Sequence, residues 1–422
     1  MNLLSVAGCS LGLALIGCKG PQRSVVCGPA DPRAAPVFGV SALGHYDIKS
    51  AELPPVHEDS TENAPNVIPR PAGASLILPE GFSAAPFAEG LFKRPRWLAV
   101  APNGDVFVAD ADADSILVLR DTDGDGRADA HFVFATDQKK PFGMAFHEGW
   151  LYVGHTDKVV RFRYAPGQTA ASGPPEKITE LPGRGYREHW TRNVAIHNGK
   201  LYVTIGSKSN AEEEPAPRAS VLEMNLDGSD RRTFVSGTRN PIGLAFHPET
   251  HALWAVVQER DHRGEDLVPD YVTELKPGAF YGWPYGYIGR RQDPAHQNEH
   301  TEEVRTMADP DVLLQAHSAA MGLVFYQGSM FPEEYKNDAF VALHGSWNRV
   351  KRTGYKIVRI RMKQGRPIGG YDDFAVGWML GEDRCDVWGR PVGLAVAKDG
   401  ALLVADDGGH LIWSIRYASK KD

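Results

Sequence analysis

The sequence predicts an all-β protein: a six-bladed β-propeller preceded by a signal peptide and a flexible tether. Three observations carry that expectation. A short apolar phrase recurs six times, turn residues follow most copies, and the first part of the chain has a different texture from everything after it. With Gly 44 and Pro 30 in 422 residues, the composition favours short elements joined by turns over long helices. A formal charge of −7 argues against a general nucleic-acid binder, whose footprint is a strongly basic domain.

The first element is a leader. Residues 3–17 form an apolar run too short to span a bilayer, and Leu15-Ile16-Gly17-Cys18 has the pattern of a bacterial lipobox, which makes Cys18 the candidate lipidation site. Met1-Asn2 carries no Lys or Arg, so an ordinary signal peptide is the alternative. Both readings predict export to the periplasm or cell envelope, with membrane attachment only through a lipid. Residues 19–74 are rich in proline with no sustained apolar period, the pattern of a flexible linker. Outside the leader only Cys27 and Cys385 remain; an oxidising compartment permits a disulfide, but spacing does not decide pairing. The chain has no Cys-x-x-Cys-His for a covalently attached c-type haem and no Cys/His grouping with structural-zinc spacing.

The propeller, residues 75–422, is read from the repeat. Its phrase stands at 95–100, 141–146, 191–196, 241–246, 319–325 and 391–396, as in Pro241-Ile242-Gly243-Leu244-Ala245-Phe246. Each copy precedes a second apolar strand such as Val106-Phe107-Val108 or Leu402-Leu403-Val404, often across a turn such as Pro102-Asn103-Gly104-Asp105. Strand, turn, strand and a more polar outer pair describe a propeller blade. The first four copies lie about 50 residues apart and the next intervals are about 70–80, so two blades carry insertions. The last copy has too few residues after it for a whole blade. The strand around Phe82–Phe87 therefore completes it and closes the ring, removing exposed edges.

In a propeller, residues just before the first strand of a blade and just after its second share one rim. Those places hold Arg94, Arg96, Lys139, Lys140, Arg187, Arg192, Arg239, Arg260, Arg349, Lys351, Arg352 and Arg390. A net-acidic chain that gathers cations at one channel mouth suits a ligand with several carboxylates or phosphates. His189 precedes the third phrase on the same rim, where an imidazole can accept a proton near neutral pH. A separate loop places Asp121, Asp123, Asp125 and Asp129 at positions 1, 3, 5 and 9 with Gly126 at 6, a spacing that wraps oxygens around a hard cation. Position 12 is Phe132, so this is not an EF-hand; the alternatives are a structural calcium loop or a solvated acidic turn. Signatures for nicotinamide, nucleoside triphosphate, serine-hydrolase and zincin chemistry are absent.

From about Leu78 to Tyr417 the chain resembles the pyrroloquinoline quinone (PQQ) dependent sugar dehydrogenases of the soluble glucose dehydrogenase and sorbosone dehydrogenase group. The resemblance rests on Gly237-Thr238-Arg239-Asn240-Pro241, Glu259-Arg260-Asp261, Tyr281-Gly282-Trp283-Pro284, His344-Gly345-Ser346-Trp347-Asn348-Arg349 and Trp388-Gly389-Arg390-Pro391. It implies oxidation of a sugar or aldehyde, with PQQ and calcium as cofactors. His189 matches the family's catalytic base. Arg239, which also matches a catalytic position, and Asn240 match contacts to the quinone carbonyls. Arg390 matches a stacking or carboxylate-binding arginine, and Arg349 and Lys351 fall where the family supplies a further cation. Arg96, on the same rim, completes the cofactor-binding set. Arg260 and Asp261 match positions whose main-chain carbonyls hold the catalytic calcium. Where glucose-specific members often carry an Asp that orients the base, this chain has Ser207, which leans toward the sorbosone side of the group. Reoxidation would need a separate acceptor such as a cytochrome or quinone. Two other classes compete: a calcium-dependent lactonase-type hydrolase, and a non-catalytic propeller that binds an envelope component.

Overall fold

The computed structural model describes residues 23–24, 42–57, 61–183 and 189–418. Cys18, Cys27, Arg187 and the expected signal peptide lie outside the described residues. Among the described residues no helix is long and apolar enough to cross a membrane.

Six antiparallel sheets surround a central axis, each inner strand touching the inner strand of the next blade. Blade 1 runs outward through Pro95–Val100, Val106–Asp110, Ser115–Arg120 and Ala130–Ala135. Blades 2 and 3 repeat that order from Met144–His147 to Glu176–Glu180 and from Val194–His197 to Arg232–Ser236. Blade 4 begins at Asn240–Phe246 and ends at Val312–Ala316, with a long insertion before its outer strand that carries the helix Thr301–Thr306. Blade 5 spans Ala320–Phe325 to Tyr371–Ala375. In blade 6, Phe82–Glu89 pairs as the outer strand with Leu411–Tyr417, so the two ends of the domain close the ring as the residue count requires.

The repeated glycine has a steric cause. A Cβ on Gly243 would sit 2.6 Å from the Met321 carbonyl oxygen, and one on Gly393 would sit 2.7 Å from that of Arg96. Gly143 and Gly322 approach Asn193 and Val392 more closely still. Each of these glycines thus faces the backbone of the next inner strand around the axis. The remaining two copies carry Trp97 and Asn193, and both are the neighbours against which a glycine packs. The strands behind them are almost entirely buried, with Phe107, Trp254, Phe340 and Trp413 filling the spaces between blades.

The linker expectation needs correction. Residues 42–57 and 61–74 are docked on the propeller. His45–Tyr46 adds a fifth strand to blade 5, and the Tyr46 ring stacks on Tyr371 with centroids 5.0 Å apart. Asn66–Val67 pairs with Asp386–Val387. Single side chains and backbone ladders make this docking, which leaves no periodic apolar signature in the sequence.

Placing a methyl group at Gly393 should cost about 1–3 kcal/mol in denaturant-monitored stability, the usual range for overpacking. Gly173, where a Cβ would meet nothing within 4 Å, supplies the control: Gly173→Ala should stay within about 0.5 kcal/mol of the parent.

Candidate active site

Every inner strand starts at the same face of the ring, so residues at those starts converge. Arg96 lies in the first inner strand, Arg239 and Asn240 at the entrance to the fourth, Arg390 immediately before the sixth, and His189 just ahead of the third. Arg349 comes from the link after the second strand of blade 5.

His189 has a defined tautomer. Its Nδ1 lies 2.9 Å from the Ser207 carbonyl oxygen and 3.0 Å from Ser207 Oγ. A carbonyl can only accept, and Ser207 Oγ commits its own proton to the Ser209 carbonyl at 2.7 Å. Nδ1 therefore carries the hydrogen and Nε2 carries the lone pair, with no hydrogen bond among the described residues. Burial, reinforced by the Arg239 charge, lowers the imidazole pKa to about 3. Ser207 thus orients His189 through its backbone and hydroxyl, without a carboxylate. Gly206 makes the approach possible, since a Cβ there would lie 2.5 Å from His189 Cβ and closer to Asn240 Oδ1. Asn240 Nδ2 donates to Gln258 Oε1 at 2.9 Å, while its buried Oδ1 has no hydrogen-bond partner among the described residues.

Arg239 is fixed from several sides. Its Nη1 donates to the Glu259 carbonyl at 2.6 Å, and Nη2 to Asn210 Oδ1 at 2.8 Å and Asp261 Oδ2 at 3.3 Å. On the other side of that carboxylate, His317 Nδ1 stands 3.3 Å from Asp261 Oδ1, and its Nε2 donates to the Gly264 carbonyl at 2.9 Å. Both partners of His317 are acceptors, which calls for the imidazolium form. Burial opposes the Asp261 charge, but His317 and Arg239 more than offset it and hold the carboxyl below its ordinary range. Arg349 joins this side through the Ala316 carbonyl at 3.4 Å and Asp266 Oδ1 at 3.3 Å, leaving its buried Nε without a partner among the described residues.

A second carboxylate organises the opposite side. Asp407 accepts from Arg96 Nη1, from Arg94 Nε at 3.0 Å and from His344 Nε2 at 2.8 Å. Burial works against this charge as well, but His344, Arg96 and Arg390 hold Asp407 well below the ordinary carboxylate range. Burial, with Arg390, lowers His344 to about 3, so it meets Asp407 as a neutral donor. Arg390 Nε donates to the His344 carbonyl at 3.3 Å, and its two Nη groups have no hydrogen-bond partner among the described residues. The Arg96 guanidinium lies 5.4 Å from the Trp190 ring, next in sequence to His189, and so links the Asp407 side to the base.

Several of the other residues singled out from sequence do different work. The Arg260 side chain is fully buried away from the mouth, bound to Asp293 Oδ2 at 2.8 Å, Glu259 Oε2 at 3.1 Å and the Gly286 carbonyl at 2.8 Å. Arg192 braces the carbonyls of His189 and Pro182, and Arg352 binds the N-terminal segment. Lys351 is exposed. Asp121, Asp123 and Asp129 bring one carboxylate oxygen each within 4.8 Å of the others, but Asp125 turns to cap the Arg127 amide at 2.8 Å. That loop joins the outer strands of blade 1 on the face opposite His189. Sequence reasoning missed Asn210, Asp407 and His317, which act by position and belong to no local motif. It also missed Trp347, quoted only within a family motif; this ring is 38% exposed and meets His262 edge-on.

Residues 92–366 match the family described as Glucose / Sorbosone dehydrogenase. An uncharacterized protein of Borreliella burgdorferi is 28% identical over 359 residues, which cover 82% of this chain and 91% of that protein. A pyrroloquinoline quinone-dependent pyranose dehydrogenase of Coprinopsis cinerea is 22% identical over 405 residues, 80% of this chain and 54% of that protein. Among solved structures, the holo PQQ domain of the Coprinopsis cinerea pyranose dehydrogenase superposes with a TM-score of 0.69 at 20% identity, covering 82% of this chain and 98% of that one. The PQQ-bound aldose sugar dehydrogenase of Streptomyces coelicolor gives 0.57 at 18% identity, covering 83% and 100%. These superpositions show a shared fold.

His189 gives a pH prediction. Its imidazole should remain neutral, protonated on Nδ1, from pH 5 to 8 in nitrogen-resolved NMR; a titration midpoint near 6 would contradict the geometry. Because the unfolded histidine titrates near ~6.5 and the folded one near 3, only the unfolded chain takes up a proton between those values. Stability should therefore fall as pH drops through that window, and His189→Asn should remove this share of the loss.

Proposed function

The chain belongs to the glucose/sorbosone dehydrogenase family, and we propose that it oxidises a sugar or related aldehyde with PQQ and calcium as cofactors. One observation carries the reading: a neutral histidine with an open Nε2 shares a mouth with arginines that still have unengaged donors. PQQ is a planar tricarboxylate, and the donors suit it. Arg390 offers both Nη groups, and among the described residues Arg96 and Arg349 each have a buried Nε without a partner; Asn240 Oδ1 is an unsatisfied acceptor, open to a ligand hydroxyl or a water. Buried polar atoms of this kind are costly unless a ligand or water meets them. The main-chain carbonyls of Arg260 and Asp261 would hold the calcium; that of Asp261 accepts one hydrogen bond, from Asn210 Nδ2 at 2.9 Å, and keeps a lone pair.

When bound, the quinone supplies the hydride acceptor and calcium a fixed positive charge beside it. His189 Nε2 takes the proton of the substrate hydroxyl, which leaves the imidazolium held at Nδ1 by the Ser207 carbonyl. No carboxylate bonds the ring; the Asp261 charge favours the imidazolium, but burial and the Arg239 charge outweigh it, so the site favours the neutral form before and after turnover. Arg239 is already locked by Asn210, Glu259 and Asp261, so its positive field needs no rearrangement as negative charge develops at the mouth. Trp347 presents an exposed aromatic face on which a sugar ring can rest. The relatives named as PQQ-dependent and aldose sugar dehydrogenases support this assignment. We also propose an exported protein, lipid-anchored through Cys18, that passes electrons to a separate cytochrome or quinone.

The test is a titration of purified protein with PQQ, with and without calcium, followed by an aldose panel and a dye acceptor. Quinone binding with dye reduction is expected. Lactone hydrolysis without quinone would move the protein to the hydrolases, and quinone binding without turnover on any aldose or aldehyde would leave a binding propeller. His189→Ala should keep PQQ affinity within about threefold while turnover falls by about 10²–10⁴. Arg390→Ala should weaken PQQ binding by about tenfold or more through loss of a charge-assisted contact.

A further inference from the structure

The loop between the second and third strands of blade 5 carries Trp347 and Arg349 to the mouth, and the N-terminal segment holds that loop. Asn63, 4% exposed, is the point of attachment. Its backbone amide donates to the Trp347 carbonyl at 2.7 Å. Its Nδ2 donates to the Val350 carbonyl at 2.8 Å and the Arg349 carbonyl at 3.2 Å. Its Oδ1 and its main-chain oxygen accept from Arg352 Nη2 and Nη1 at 2.7 and 2.9 Å. A residue about 285 positions away in sequence thus meets the carbonyls of three loop residues and the guanidinium that ends the loop. Asn348 adds a return bond to the Thr61 carbonyl at 3.3 Å, and its Oδ1 accepts from the His262 amide at 2.8 Å, next to Asp261.

Little else fixes the loop from its solvent side. Trp347 and Val350 are 38% and 50% exposed, and Val350 is otherwise tethered by its amide to Glu265 Oε2 at 2.5 Å. An asparagine matches this place because it offers both a donor pair for loop carbonyls and an acceptor for a buried arginine. Glutamine carries the same groups, but one methylene further from the backbone.

We propose that Asn63 is a positioning residue for the active site: the N-terminal segment is a strap that sets where Arg349 and Trp347 stand at the mouth. The consequence for cofactor binding rests on the dehydrogenase reading above, whereas the consequence for the loop does not.

The experiment compares full-length protein with three variants, first by hydrogen exchange of the apoprotein and then by PQQ titration. Asn63→Ala should speed exchange across 346–352 by about tenfold, the scale of losing one or two net hydrogen bonds, with the blade 5 strands unchanged. Asn63→Asp keeps the acceptor for Arg352 but has no Nδ2 hydrogen, so it should loosen 349–350 even where thermal stability is retained. Asn66→Ala cuts the strap's 2.7 Å bond to Asp386 and leaves Asn63 in place, so loop exchange should stay at the parent value. PQQ affinity should fall in the two Asn63 variants and hold in Asn66→Ala. Unchanged loop exchange in both Asn63 variants overturns the proposal, as does a loosened loop with parental PQQ affinity. If the parent protein itself fails to bind PQQ, the dehydrogenase reading fails, and the exchange data alone decide whether Asn63 positions the loop.

Discussion

Two carboxylates, the buried Asp407 and the half-buried Asp261, make the channel mouth possible. Arg239, Arg349, Arg96, Arg94 and Arg390 would repel one another if crowded at one opening without counter-charge, and burying them costs solvation energy that only close pairing offsets. Asp261 supplies that pairing on the His317 side and Asp407 on the His344 side. Asp407 takes three donors and Asp261 one on each oxygen, so each negative charge is matched by cations at the mouth. What remains is a rigid cationic opening with a few donors left over, the field that a multiply anionic, planar ligand needs. Removing either carboxylate would do more than delete one bond, because two or more cations would lose their common partner.

His189 is held differently from the arginines around it. A histidine paired with a carboxylate through Nδ1 gains stability as the imidazolium; His189 has a carbonyl and a hydroxyl there instead. Orientation and basicity are thereby separated. The carbonyl and hydroxyl fix the tautomer, while burial and the Arg239 charge keep the ring neutral.

What the sequence disclosed follows from the range of the interactions involved. The blades were legible because each is a local strand–turn–strand unit, and their glycines recur because each inner strand meets the same neighbour geometry. Closure by Phe82–Glu89 was legible from the residue count alone. Docking of residues 61–68 was hidden, since Asn63, Arg352 and Asn66 act as single long-range contacts with no period. The role of the Arg260 side chain was hidden for a similar reason: Asp293 lies in an insertion with its own turn chemistry. Ser207 looked like the loss of an orienting group because the carbonyl that replaces it has no letter in the sequence.

The most direct test of the central claim is a crystal structure of the protein grown with PQQ and calcium. The account predicts the quinone across the channel mouth, a carboxylate on the Nη groups of Arg390, and His189 Nε2 facing the space above the ring. Quinone bound elsewhere on the propeller, or lying in the mouth with its carboxylates turned away from the arginines, would contradict it.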